Sequence, residues 1–549
     1  MTARGVWGSA NRAWNSIPLR EPWRVLAALL VFHWIALVAY TTKVNHNAWL
    51  FYQGGDQIWY WTTSWLAGTG WLNDPQVSQG WSMLLVPFTW LGGPSYLSGL
   101  PLAMLLQIVV FAPLALWCVY ELASRVGGRY IGYFGAAVWT IAPYIAIPLF
   151  VHRYHDRYVD QFLPLPFGLT AMADYPATVC LLVSAALAVR AVDNRDPATA
   201  VLSGLTLGFA AVVKPSSIIY ALAPVLLILL ARRWRVLAFG AIGIAPALIA
   251  LSIWKYKGFG NLPAFTYQET RVAWGGDTVL APYRRYVDID WHNIAVNLDS
   301  LREFFWSVRV LQWVPFAGAL AVARRSLPLA VFFSAWFWAF FLLKGSADQA
   351  TVDSGSFFRF LMPAMPAFIM LAVAVPLLVP VYGAALARRA QRGPPRSIDW
   401  WLVVPVAIVL GIAPIVAAAA ATPLDGPEHV LQESGIAVPV DGGWDFTATV
   451  RGETVRLNWK EPSARGTRLF YKVFRSPTFA DYLCETRNPG ADRCTFSSET
   501  LGKVRRTSAV DRPGPGRWTY RVGAAANWVD DPEGGDVFLL SKPVTVTVP

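Results

Sequence analysis

A chain of 549 residues that is 55% hydrophobic and only 15% charged, with a mean hydropathy of +0.40 and 27 tryptophans, is no soluble globular enzyme. It reads as a polytopic membrane protein. The net charge of +12 would suit nucleic acid, but membrane proteins gather Lys and Arg in cytoplasmic loops, and the basic residues here fall in that pattern, which excludes nucleic acid as a partner.

A basic N-terminus (Arg4, Arg12, Arg20, Arg24) precedes a first apolar span at about 24–42, with no small-residue cleavage site of the secretory kind. The N-terminus is expected to be cytoplasmic. Further spans are expected at about 101–123, 130–150, 173–190, 199–213, 216–230, 236–254, 304–322, 327–343, 359–383 and 399–420. That makes about eleven, each near the ~20 residues that a helix needs to cross the hydrocarbon.

Alternating sides from a cytoplasmic start places Arg125 and Arg129, Arg190 and Arg195, Arg232 to Arg235, Arg324 and Arg325, and Arg388 to Arg396 all inside. This test depends on reading LSGLTLGFAAVVKPSSIIYALAP as two spans broken at Lys214 and Pro215; as one span it would scramble the later clusters.

The outer segments are then 43–100, 151–172, 255–303, 344–358 and everything after Thr422. The stretch Phe51 to Trp81 is dense in aromatics and carries Asp56 after a Gly-Gly pair that lets the backbone turn. Its aromatics predict a segment lying along the bilayer surface, with a carboxylate at headgroup depth. Asp174, at the outer end of the fourth span and two residues before Pro176, has the signature of a helix N-cap. Lys214 ends the fifth span and Arg359 opens the tenth, both on the side where no cation is required; snorkelling is the plain account and binding of a lipid phosphate the functional one.

The loop HRYHDRYVDQF holds His152, Arg153, His155, Asp156, Arg157 and Asp160. Interleaved arginines oppose a dication, so it reads as a basic, phosphate-facing or solvated loop rather than a metal site. Arg271 in the long outer loop is a candidate cavity residue. There is no P-loop, and the short inner loops leave no room for a nucleotide-binding domain.

After Thr422 the pattern changes to short alternating runs, TVRLNW, RLFYKVF, RWTYRVGAAANW and KPVTVTVP, separated by turn residues. Two units are expected, a membrane domain over 1–422 and an extracytoplasmic β-sandwich over 423–549. The latter resembles a fibronectin type III domain, with Trp459 and Tyr520 at the family's core positions. Cys484 and Cys494 bracket a turn-rich segment suited to a hairpin disulfide worth on the order of 2–3 kcal/mol. Cys118 and Cys180 read as small buried apolar residues within spans.

The order GGDQIWYWTTSWLAGTG, ADYP, GLTLGFAAVVKPSS and RFLMPAMP resembles the GT-C superfamily of membrane glycosyltransferases, in particular the branch of protein O-mannosyltransferases and lipid A aminoarabinose transferases. The resemblance covers about 24–385. It implies inverting transfer from a polyprenyl-phosphate sugar to a glycan, lipid or protein acceptor at the outer face of the plasma membrane, without a cofactor or metal. Asp56 and Asp174 would be the catalytic acids, with Asp56 as general base. Lys214, Arg359, Arg153 and Arg157 would hold the donor phosphate, and Trp59, Tyr60, His155 and Arg271 would line the substrate cavity. Gln57 stands where the protein mannosyltransferases carry a second acid, so the acceptor is left open. The alternative class is a transporter or lipid-linked sugar flippase, for which charged residues at span centres are expected; the span centres here are nearly free of them.

Overall fold

A computed structural model describes residues 22–43, 56–68, 70–72, 78–92, 96–259, 264–270, 278–282, 289–347, 349–380, 398–423, 430–432, 435–439, 444–461, 469–476, 499–526, 537–541 and 544–549. Arg271, Cys484 and Cys494 lie outside them. Asp56, Trp59 and Arg157 fall within described helices, but their side chains lie outside the described set.

The helices are α1 (Pro22–Thr41), α2 (Asp56–Gly68), α3 (Gln79–Gly92), α4 (Gly99–Gly127), α5 (Arg129–Leu149), α6 (His152–Arg157), α7 (Asp174–Asn194) and α8 (Pro197–Val213). They continue with α9 (Pro215–Leu230), α10 (Trp234–Gly258), α11 (Trp291–Phe304), α12 (Val308–Ala323), α13 (Leu327–Lys344), α14 (Ser356–Leu378) and α15 (Trp400–Ala420). Among the described residues eight of these, α1, α4, α5, α7, α10, α13, α14 and α15, are long and apolar enough to cross a membrane. Shorter apolar helices α8, α9 and α12 fall on the other three expected spans, so the chain is a multi-pass membrane protein. Exposed tryptophans open α1 (Trp23), α10 (Trp234) and α15 (Trp400, Trp401), as side chains that favour a membrane boundary do.

The break at Lys214 is real. Its backbone is extended (φ −145°, ψ 106°), as the residue before a proline prefers, and α8 ends there. Six residues on, Tyr220 stands edge-on to Trp336 of α13 at 4.8 Å. Both Lys214 and Lys344, the last residue of α13, reach the ring of Phe360, and α9 packs along α13.

Small residues set the tightest helix pair. Gly204 and Gly208 on α8 face Gly240, Gly243 and Ala247 on α10; a Cβ on Gly204 would stand 2.1 Å from the Gly240 carbonyl oxygen, and one on Gly243 2.3 Å from that of Val201. Where lipid tails are as apolar as leucine, close backbone approach of this kind is what holds helices together.

Two expectations are corrected. The stretch 51–81 does not simply lie along a surface: Trp61 and Trp81 are fully buried, and α2 packs against α3. The segment 163–172, expected as part of the outer loop 151–172, is core, with Leu163, Leu165, Phe167, Leu169 and Met172 buried. Aromatics adjacent to a span serve a boundary and a core equally well, and only tertiary contacts separate the two. Cys118 is buried and Cys180 partly buried in the apolar core, as expected.

After Pro423 the described strands fall in two sheets. One has the order 508–511, 454–458, 447–451, all antiparallel. The other places 469–476 between 499–504 and 516–526, with Val473 opposite Val522, and 516–526 pairs also with 544–548. Trp459, Tyr471, Tyr520, Val455 and Leu457 fill the space between them. At its margin Tyr520 donates to Asp511 at 2.7 Å, and Arg475 grips the same carboxylate at 3.0 and 3.1 Å.

Gly204→Val should destroy the α8–α10 contact and leave little folded protein by size-exclusion chromatography in detergent. Gly240→Ala, whose added methyl meets nothing closer than 3.8 Å, should be tolerated. In the β domain, burial, together with the hydrogen bond to Asp511 and that group's charge, raises the Tyr520 phenol above its ordinary value. Above pH ~10 the unfolded chain therefore loses a proton that the folded domain keeps, and stability falls as pH rises. Melting temperatures between pH 8 and 10.5 should drop in the wild type and drop less in Tyr520→Phe; Tyr471, also raised by burial, keeps some slope.

Candidate functional site

The site is built from helix ends. Asp174 is the first residue of α7, where a carboxylate suits the positive end of the helix dipole and Pro176 lacks only an N–H that would be unpaired anyway. The capping expectation fails: Ala173 holds the cap position, with no side-chain bond. The Asp174 carboxylate, 1% exposed, turns to two other elements. Its Oδ1 accepts from Lys214 Nζ, and its Oδ2 from Arg359 Nε at 3.2 Å. Lys214 is itself the extended residue between α8 and Pro215. Arg359 is placed in the first turn of α14, which starts after Gly355 in the left-handed region (φ 76°).

Phe360 follows Arg359 and gathers the cations. Lys214 Nζ lies 5.6 Å from its ring centroid, the Arg359 guanidinium 5.9 Å and Lys344 Nζ 5.2 Å. Lys344 is a residue that sequence reasoning missed; its only signal was a cation closing an apolar run, FFLLK.

The segment before Asp174 is the floor on which the 56–92 region sits. The Ala171 N–H donates to Gln57 Oε1 at 3.0 Å, Trp81 Nε1 donates to the Ala171 carbonyl at 2.7 Å, and Gln107 Nε2 to the Thr170 carbonyl at 2.6 Å. On the Lys214 side Ser78 Oγ donates to the Val213 carbonyl at 2.6 Å. Gly80 packs so closely there that a Cβ would stand 2.6 Å from the Val212 carbonyl carbon. Asp56 opens α2, and its neighbour Gln57 is thus fastened three residues upstream of Asp174. Tyr60 is half-buried, and its carbonyl accepts from Ser82 Oγ at 3.0 Å.

Other sequence candidates are placed elsewhere. Arg153, expected at the donor phosphate, is an exposed side chain of α6 paired with Glu303 and set over the Phe304 ring at 5.0 Å. His155 Nε2 stands 2.9 Å from the Phe150 carbonyl within its own turn. Among the described residues no group of three or more His, Cys, Asp or Glu side chains is placed to hold a metal.

No family model matches the chain, and no curated protein matches it. Among solved structures it is similar to the apo crystal structure of the Archaeoglobus fulgidus oligosaccharyltransferase, with a TM-score of 0.36 and 12% identity over 72% of this chain and 55% of that one. The chain thus spans little more than half the length of that protein.

Chemically, the arrangement is a buried carboxylate that draws together two cations from other elements, a point-charge ammonium and a planar guanidinium. Such a group can bind a multi-oxygen anion at a membrane boundary.

Removing the carboxylate takes the buried anion from between two cations that it holds together. Asp174→Ala should cost about 3–5 kcal/mol, and Lys214→Met less, because the acid then keeps Arg359. Thermal unfolding in detergent would show the order; an Asp174→Ala protein as stable as wild type would mean that the triad is not a structural keystone.

Proposed function

We propose that this protein is an inverting glycosyltransferase of the GT-C kind, which moves a sugar from a polyprenyl-phosphate donor to an acceptor hydroxyl at the outer face of the plasma membrane. The observation that carries the reading is the convergence of Asp174, Lys214, Lys344 and Arg359 on one bundle end, with the helix that opens at Asp56 fastened beside it. All of these groups lie at or near helix termini, which favours a reaction at the headgroup plane over passage through the bilayer centre. The motifs that resemble the GT-C superfamily hold Asp56, Asp174, Lys214 and Arg359.

In this reading the Asp56 carboxylate takes the proton from the acceptor hydroxyl as its oxygen attacks the anomeric carbon. The bond from that carbon to the phosphate oxygen breaks, and the electron pair stays on the phosphate. Lys214 and Arg359 stabilise the charge that grows there. Asp174, already accepting from both cations, is their positioning residue rather than a second base. The half-buried Phe360 ring gives the cations a fixed platform. Trp59 and Tyr60, three and four residues after Asp56 in the sequence, would offer surfaces for a sugar face.

We read the β domain as fibronectin type III-like, on the three-stranded sheet set against the 499–504, 469–476, 516–526, 544–548 sheet and on buried Trp459 and Tyr520. It lies on the outer side with α2, and the N-terminus lies in the cytoplasm.

The test is transfer of labelled sugar from a panel of polyprenyl-phosphate donors by purified protein in lipid. Asp56→Ala and Asp56→Asn should both lose roughly 10²- to 10⁴-fold in rate while still binding donor. Normal transfer by both variants would remove Asp56 from the mechanism, and absence of any lipid-phosphate binding by the wild type would remove the substrate class.

A further inference from the structure

We propose that Lys344 is a third cation of the donor-phosphate site, acting on the lipid phosphate together with Lys214 and Arg359. The inference rests on the reading of that site given above. Lys344 ends α13 and is 5% exposed. A lysine at a helix C-terminus is favoured by the dipole, which accounts for its charge but not for its aim. Its Nζ lies over the same ring that receives the other two cations, closer than either of them. Asp174 answers Lys214 and Arg359, and Lys344 brings a third positive end, from a third helix, to the same half-buried ring. An anion with several oxygens, such as a phosphate, can meet cationic groups from several elements at once.

The fold fixes this cation relative to Arg359. The connector between them is held by one buried amide, Asn297 on α11. Its Nδ2 donates to the Gly345 carbonyl at 3.0 Å and to the Ala350 carbonyl at 2.6 Å, and its Oδ1 accepts from the Val352 N–H at 3.2 Å. Both the residue after Lys344 and the strand of chain that leads to Arg359 are therefore tied to a single side chain. Gly345 permits the bend, since a Cβ there would stand 2.4 Å from the Phe341 carbonyl oxygen. Tyr154 on α6 donates to the Val352 carbonyl and adds a second tie.

The charge argument gives Lys344 a part in the reaction. When the bond to the sugar breaks, a phosphodiester with one negative charge becomes a phosphomonoester with two. A third cation at the phosphate is then worth more in the transition state than in the bound donor.

The experiment uses the whole protein in nanodiscs and two probes, farnesyl phosphate and farnesol, which differ only in the phosphate. Wild type should bind the phosphate more tightly than the alcohol. Lys344→Met should lower that ratio roughly ten- to a hundredfold, the worth of one charge-assisted hydrogen bond, and leave farnesol binding unchanged. Lys344→Arg should restore most of it. Lys344→Gln carries the same test if the Met variant does not fold. A ratio unchanged in Lys344→Met but lost in Arg359→Met overturns the role of Lys344 and leaves the site reading intact. A purely structural role would weaken both probes together, and that result also overturns the proposal. A wild type that does not distinguish the two probes overturns the site reading and the inference with it.

Discussion

A carboxylate taken almost wholly out of water must be compensated, and at Asp174 the compensation comes from far along the chain. Lys214 is 40 residues away and Arg359 is 185. Neither contact is local, so each fixes a helix end in space: the start of α7, the end of α8 and the start of α14 are drawn to one point. A buried ion pair of this kind adds little net stability over an apolar alternative, but it is very costly to break, which makes it a device of position more than of strength. The remaining features of this bundle end are arranged around that fixed point. Phe360 follows Arg359 and carries Lys344 to the same place, and the connector between the two is held by Asn297.

The 56–92 region depends on the same point for its seat. Gln57 and Trp81 bond the peptide of Ala171, while Ser78 and Gly80 meet the backbone at Val212 and Val213. One side of the region is therefore gauged on the residues before Asp174 and the other on the residues before Lys214. The helix that begins at Asp56 thus cannot be displaced independently of the cations. For the proposed base and the proposed phosphate site, which would act on one molecule, such shared anchoring is the physical requirement, because small misplacements cost large factors in rate.

Much of this was legible in the sequence where local rules apply. Lys214-Pro215 had to end a helix because the residue before a proline avoids the helical region, and the apolar run was correctly divided there. Asp174 was found, but its signature pointed to a cap, whereas the structure gives its oxygens to Lys214 and Arg359. Trp61 and Trp81 were misassigned to the membrane surface, because an indole suits a boundary and a core alike and only the partner decides: Trp81 donates to the Ala171 carbonyl. Arg153 looked like a phosphate ligand from its basic neighbours, and Glu303, which claims it, is 150 residues distant. Asn297 has no local signal at all, and Lys344 only that of a cation closing an apolar run. Their importance comes from what the fold brings to them.

The junction between the bundle and the β domain obeys the same logic. α15 ends with carbonyls that need partners, and Lys257 on α10 donates to those of Ala419 and Ala421. The next residue, Thr422, donates its N–H to the Gly70 carbonyl at 2.8 Å, and Thr422–Pro423 pair in parallel with Trp71–Leu72 just beyond α2. The chain therefore leaves the membrane bundle already hydrogen-bonded to the segment that follows the Asp56 helix, and 435–439 lies against that helix as well. A sandwich attached by a free linker would sample many positions over the bundle end. One whose first residues are paired to the end of α2 has its origin set by the same helix that carries the acid, so the geometry of the β domain and that of the candidate base are coupled through a few backbone hydrogen bonds.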